Sequence, residues 1–457
     1  MIAFQPGRLQ YYGSGRTARS VCLSQGYAHH ARDVDEGGVI AVCEILYKFT
    51  ILKRIDSAYE KPLQDMKNIA THAARCLTGA AAAILTLSAA GVSAQEPADY
   101  VDPFIGTNGM GHTFPGACVP FGAVQLSPDT DTIPHNVNGV YQKRAYEYCA
   151  GYRHGDKTIV GFSHTHFSGT GHSDLGDILV MPSVGDVKLN PYTADDPDSG
   201  YRSRFSHESE SASPGYYAVT LDDSGVRAEL TATARTGVHR YTFPENADGH
   251  VVLDLAHGIY NYDGKVLWST LRVESDTLIT GYRITNGWAR TNYTYFAISF
   301  SQPVADYGYE DRAPVPYNGF WRRFDVNSNF PEIAGRKVAA YFRFDTRRER
   351  ELVVKVALSA VSTEGAVANL RAEAAGRSFD EIAAAARKAW NDNMGRFEIE
   401  GTEDQRTMFY TSLYHTMINP SVYMDVDGSY RGVDHNIHHA EGFTNYTVFS
   451  LWDTYRA

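Results

Sequence analysis

The sequence predicts a mainly β chain, an antiparallel β-sandwich followed by helices. Three observations predict it. Short runs that alternate or stay apolar over about 5–9 residues recur from 215 to 360. Turn residues separate them, with no helical stretch in between. From about 364 the apolar spacing switches to the helical period.

The N-terminal elements do not belong to that fold. Met66-Lys67-Asn68 offers a second start, Lys67 and Arg75 supply positive charge, and LTGAAAAILTLSAAGV (77–92) is small and apolar. Val92-Ser93-Ala94 then provides a small-x-small cleavage site. Residues 66–94 therefore read as a secretory signal peptide. The apolar run is too short for a membrane span, which needs about 20 residues. Residues 1–65 read as a spurious upstream extension. The expected destination is export, to the periplasm or the extracellular space. Of five cysteines, Cys118 and Cys149 lie past the cleavage site. Sequence alone leaves open whether they pair.

Residues 100–190 read as loop-rich, with Gly, Pro and aromatics clustered. The ladder follows: YYAVTLD, RAELTATART, VHRYTFP, HVVLDLA, KVLWSTLRVE, LITGYRITNG, TYFAISFS, VAAYFRFD and ELVVKVALSA. The sandwich is assigned to residues 98–360. Helices are expected over Leu370–Ala375, Phe379–Phe397 and Glu403–Met417, forming a helical linker at 361–418. Ser378 and Thr402 are N-cap residues with acids in the first turn. Asn419-Pro420 closes the last helix. In 419–457, Asp425-Val426-Asp427-Gly428 lacks the remaining ligands of a calcium loop and reads as a hairpin turned at Asp427-Gly428. Phe449–Ala457 begins an amphipathic helix whose apolar face has nothing to cover it, so the chain is expected to be a fragment.

A net charge of −11 argues against nucleic acid, which requires clustered Lys and Arg. Thirty tyrosines and 40 glycines suit either strands or sugar recognition. GFSHTHFSGTGH (161–172) concentrates His164, His166 and His172 around Gly169 and Gly171. His-x-His puts two side chains on one face of a strand, so zinc is one reading. Core histidines, or imidazoles that donate to and accept from sugar hydroxyls, are the others.

YVDPFIGT (100–107), GHTFPGACVPFGAVQLSPDT (111–130), YRHGDKTIVGFSHTHFSGTGHSDLGDILVMP (152–182), GVHRYTFP (237–244) and FSLWDTYRA (449–457) resemble glycoside hydrolase family 92, the calcium-dependent exo-α-mannosidases. The resemblance implies that the sandwich precedes an (α/α)6 catalytic barrel, of which 419–457 is the truncated start. It implies inverting removal of terminal mannose, often α-1,2-linked, from glycans. It places the catalytic carboxylates and most calcium contacts beyond residue 457, so the chain alone is expected to be inactive. Asp174, Asp177 and Glu441 are acids present, but no spacing marks a pair. The resemblance and the chemistry together nominate Gly111, His112, Phe121, Gly122, Arg153, His154, His164, His166, Trp452 and Asp453 as mannose-binding residues. The alternatives are a non-catalytic carbohydrate-binding or interaction module, and a zinc hydrolase built on the histidines.

Overall fold

The computed structural model describes residues 95–130, 136–314 and 331–448. The expected signal peptide at 66–94, the upstream 1–65, and Trp452 with Asp453 lie outside them. The described residues belong to one compact unit that begins at Gln95.

Sixteen strands build two antiparallel sheets. In chain order they are β1 (Ala117–Cys118), β2 (Gln125–Asp129), β3 (Gly161–Ser163), β4 (Leu179–Val184), β5 (Ser211–Ser213), β6 (Tyr216–Thr220), β7 (Arg227–Ala232) and β8 (Thr236–Thr242). Then come β9 (Gly249–Asp254), β10 (Val266–Val273), β11 (Leu278–Thr285), β12 (Asn292–Phe300), β13 (Asp306–Asp311), β14 (Glu332–Gly335), β15 (Val338–Arg343) and β16 (Glu351–Ser359). The seven-stranded sheet runs β1-β2-β3-β4-β9-β15-β13, and the nine-stranded sheet runs β14-β10-β11-β12-β16-β8-β7-β6-β5. Leu126, Phe162, Met181, Val252 and Phe342 of one sheet meet Tyr217, Leu230, Tyr241, Phe296 and Val354 of the other in a shared core. The chain is thus the mainly β sandwich that the strand ladder predicts.

Every run of the ladder forms a strand. The loop-rich reading of 100–190 is corrected: β2, β3 and β4 fall inside it and supply the middle of the second sheet. Strand β2 is buried at all five positions, so no polar face produces an alternation. Pro128, Pro182 and Gly161 within these strands also mimic turn signals.

Three helices follow: α1 (Thr363–Glu373), α2 (Phe379–Met394) and α3 (Glu403–Thr416). Helix α1 starts seven residues before Leu370, because the Ser362 hydroxyl accepts from the Gly365 N–H at 3.0 Å. Ser378 and Thr402 both complete capping boxes, with Glu381 and Gln405. The helices are not a free linker. Ala366, Leu370, Phe379 and Ile382 pack on Val238, Ala297 and Ala357, the outer face of the nine-stranded sheet. That covering explains why ELVVKVALSA is apolar on both faces. Farther along, Trp390, Met394 and Tyr414 pack against Ala98, Phe114 and Cys118.

After α3, two-residue strands at Ser421–Val422 and Tyr446–Thr447 pair with each other. Between them Ser429–Arg431 pairs with Ile437–His439. The hairpin's connecting turn is therefore at 432–436, not at Asp427-Gly428. Asp427-Gly428 forms its own reversal, closed by the Gly428 N–H on the Asp425 carbonyl at 3.0 Å. Asp425 points inward, accepting from Ser359 at 2.7 Å and Asn369 at 2.8 Å. Cys118 and Cys149 are separate buried thiols. No helix among the described residues is long and apolar enough to cross a membrane.

Trp390 is fully buried, and its indole N–H donates to the Cys118 carbonyl at 2.7 Å. Trp390→Phe keeps most of the volume but leaves that carbonyl unsatisfied, at a cost of about 1–3 kcal/mol. Trp390→Ala adds a cavity, for a loss of about 3–5 kcal/mol. Denaturant midpoints should fall in that order.

Candidate functional site

The loops at one end of the sandwich are built around residues 164–178, which join β3 to β4. Strand β4 begins at Leu179 opposite Asp254, where β9 ends. Strand β11 ends at Thr285 opposite Asn292, the start of β12. The loops 164–178, 255–265 and 286–291 therefore open together.

Buried polar contacts hold them. Lys265 pairs with Asp174 Oδ1, and Asp174 Oδ2 accepts from the Trp288 N–H at 2.7 Å. Arg283, wholly buried, places its Nε 3.0 Å from Asp177 Oδ1 and donates to the His257 carbonyl at 2.6 Å. Asp177 Oδ2 accepts from Thr165 Oγ1 at 2.7 Å. Removing either cation would strand a buried carboxylate, which costs about 3–5 kcal/mol.

The histidine cluster divides along this loop. His164 is fully buried; its Nδ1 faces the Ile178 carbonyl at 2.6 Å and its Nε2 faces His239 Nε2 at 3.0 Å. A carbonyl only accepts, so Nδ1 carries the proton and Nε2 must accept from His239. The other nitrogen of His239 then accepts the Tyr241 hydroxyl at 2.7 Å. Both rings are neutral in this chain. His166 directs Nδ1 at the Gln125 carbonyl (2.7 Å) and Nε2 at Asp129 Oδ1 (3.0 Å), and His257 donates to Asp129 Oδ2 at 2.7 Å. Burial alone would raise the Asp129 carboxyl, yet His166 and His257 hold it well below the usual range. His164 thus ties the two sheets through His239, His166 fastens the loop to β2 of its own sheet, and both rings are buried away from the surface. His172 is exposed and sits edge-on to Trp288, with ring centroids 4.7 Å apart. The three rings face three different surroundings and do not converge on a zinc ion.

The outer part of the loop gathers a different set. Gly169 N–H donates to the His112 carbonyl at 2.8 Å. His112 is buried, has a positive φ of 56°, and meets Tyr146 edge-on at 4.9 Å. Burial lowers its pKa, so the ring is neutral. Its Nδ1 and the Ser168 hydroxyl have no hydrogen-bond partner among the described residues. Gly111 is required here, since a Cβ would come within 2.0 Å of the Gly106 carbonyl oxygen. On the other side Trp288, 61% exposed, rests edge-on against His172 and Phe167. Gly111, His112, Tyr146, the 167–175 loop and Trp288 form one continuous rim.

The remaining candidates go elsewhere. Phe121 donates its N–H to Met417 O and accepts from Val422 N–H, both at 2.8 Å. With Gly122 it fastens the sandwich to the chain leaving α3 rather than walling a sugar pocket. Arg153 is held by Glu147 at 2.9 Å and Asp156 at 3.5 Å, a partly exposed ion-pair cluster. His154 stacks on His207. Tyr146, Trp288 and Lys265 were not among the candidates. Trp288 sits in an NGW turn between two strands, where an aromatic residue has no core to fill, and that position was the available signal.

Comparison with known proteins gives a consistent set of matches. Residues 100–359 match the model of the glycosyl hydrolase family 92 N-terminal domain, and 365–457 match that of the family 92 catalytic domain. A family GH92 α-mannosidase of Bacteroides thetaiotaomicron, solved in complex with mannoimidazole, is 43% identical with a TM-score of 0.70, over 79% of this chain and 45% of that one. A family GH92 inverting mannosidase of the same species is 30% identical with a TM-score of 0.62, over 78% of this chain and 44% of that one. A protein of Arthroderma benhamiae, described as an uncharacterized secreted glycosidase, is 27% identical over 365 residues, 73% of this chain and 43% of that protein. The chain thus spans less than half the length of these relatives.

The buried imidazoles predict a pH dependence. Burial pushes His164 down to about 3 and His250 and His415 to about 4, and drives His239 down in the same direction. Unfolded, these rings take up protons near pH ~6.5. The unfolded state therefore binds more protons below that value, and stability is full above it and falls as pH drops. Each ring contributes a slope of about 1.4 kcal/mol per pH unit. Thermal midpoints should decline steadily from about pH 6.5 to about pH 5; a level midpoint would mean the rings are not held neutral.

Proposed function

The chain belongs to glycosyl hydrolase family 92, and on that premise we propose that it is the N-terminal portion of a secreted, exo-acting α-mannosidase. Its substrate would be a terminal, α-1,2-linked mannose of a glycan, removed with inversion. The observation that carries this reading is the rim around Trp288. An exposed indole is braced by two aromatic rings, and its backbone N–H is pinned to an aspartate that is itself pinned by a buried lysine. Such a platform offers a flat apolar face for a pyranose ring without losing side-chain freedom on binding. Next to it stand neutral His112 and the glycines 111 and 169, where backbone can approach a ligand closely.

Inversion requires two carboxyl groups about 6.5–9.5 Å apart, one of them free to give up a proton. Asp174 and Asp177 do not meet that need. Each has its oxygens engaged by a cation and by further donors. We assign the acid and the base to residues outside the described chain. For the calcium that the family resemblance implies, three buried aspartates of this chain are not ready ligands. Calcium wants six to eight oxygen ligands, and Asp174, Asp177 and Asp425 are each committed to separate partners. This chain would supply one wall of the sugar site, which orients the ring once the rest of the site is present and holds it only weakly alone.

Trp288 also favours a second reading, a carbohydrate-binding module without catalysis. Two measurements on the purified chain separate the readings. With α-1,2-mannobiose, with or without calcium, the expected outcome is no mannose release; clear turnover would overturn the placement of the carboxylates. Calorimetric titration with mannose should give no saturation at millimolar concentrations. A millimolar or tighter dissociation constant, weakened about tenfold or more by Trp288→Ala, would instead support the module.

A further inference from the structure

A cluster that the rim does not include is made by His154, His207 and Glu210. One ligand-type atom from each lies within 4.8 Å of the others. His207 Nδ1 is 2.7 Å from Glu210 Oε2, and the His154 ring stacks on the His207 ring with centroids 4.1 Å apart. The Glu210 side chain is 1% exposed, while that of His207 is 35% exposed. Glu210 also accepts from the hydroxyls of Tyr152, at 3.0 Å to both oxygens, and Tyr217, at 2.5 Å. The Tyr152 hydroxyl is 3.5 Å from His154 Nδ1. Phe205 meets His207 edge-on at 5.0 Å, and Phe104 meets His154 edge-on at 5.7 Å.

We propose that His154, His207 and Glu210 bind a borderline divalent transition-metal ion of the zinc type. Two imidazoles and one carboxylate are a ligand set that zinc takes, with water in the fourth position. A hydrogen bond from His207 accounts for one imidazole beside the carboxylate, but not for a second stacked at its shoulder. The two tyrosine hydroxyls orient the carboxylate as outer partners of a metal ligand do. Ligands on a tetrahedral zinc stand about 3.3 Å apart, from bond lengths of about 2.0–2.1 Å. His207 and Glu210 need open only slightly. His154 would have to leave its stack on His207 and turn toward Glu210 to join them. The ion would clamp the segment Tyr152–His154 to the turn His207–Glu210. The nitrogen-rich set does not suit calcium, so this site is separate from the family's cation, and it stands whether or not the chain binds mannose.

The test is calorimetric titration of the chelator-stripped full chain with zinc alone, beside His154→Ala, His207→Ala and the double variant. Both histidines reach solvent, so these variants should keep the fold, which circular dichroism checks. The expected result is one equivalent of zinc on the parent chain, weakened about tenfold or more in each single variant and abolished in the double. His438→Ala, which removes an exposed imidazole beside Asp434, should leave that equivalent in place. The proposal is overturned if the parent chain takes up no stoichiometric zinc, or if the double variant titrates as the parent does.

Discussion

The charge pairs buried behind the loop 164–178 are the constraint on which the rest of this end depends. Asp174 faces Lys265 of the loop 255–265 and Asp177 faces Arg283 of β11, so the two pairs tie the loop 164–178 to its neighbouring loop and to the nine-stranded sheet. A buried ion pair contributes little net stability when intact, but losing one partner is costly. The loop therefore has one acceptable position. The neutral His164–His239 contact adds a third tie, and its donor order is dictated by the Ile178 carbonyl at one end and the Tyr241 hydroxyl at the other. Gly169, His172 and Trp288 are held in place by what lies beneath them.

The helices serve the same end by a different force. Helices α1 and α2 cover the outer face of the nine-stranded sheet with Ala366, Leu370, Phe379 and Ile382, and α2 and α3 then pack on the segment around Ala98 and Val101. Hydrophobic burial is non-directional, so the orientation comes from the polar contacts within it. These include the Trp390 indole on Cys118 and the capping boxes at Ser378 and Thr402. Phe121 completes the connection by holding both Met417 and Val422 through its backbone. The chain that leaves α3 is in this way delivered to the sandwich rather than left to diffuse.

On the proposed reading, this arrangement would separate two tasks. The sandwich presents a rigid rim of aromatic and glycine-flanked groups. Asp174 and Asp177 are engaged by cations and further donors, which makes them supports of the loop. If the rim faces the sugar as proposed, its rigidity would help to orient the ring, and it would need no reactive group of its own.

The strand ladder, the three helices and the N-cap residues Ser378 and Thr402 are legible in the sequence because each depends on near neighbours: a period, a turn residue, a cap beside the first helical turn. The quoted motifs likewise carried the family, since long matching stretches survive without any knowledge of contacts. Strands β2 to β4 were not legible, because burial on every side erases alternation and Pro128, Pro182 and Gly161 imitate turns. The site was only partly legible. Gly111 and His112, nominated from a motif, lie on one rim with Trp288, which no motif marked. His164 and His166 carry the same chemistry as sugar-binding imidazoles, and nothing local distinguishes them from such residues. What separates them is whether a carbonyl, a carboxylate or another imidazole from a strand about 40 to 75 positions away occupies the ring nitrogens. Pairing across two sheets decides that, and it is a property of the assembled sandwich rather than of any stretch of residues.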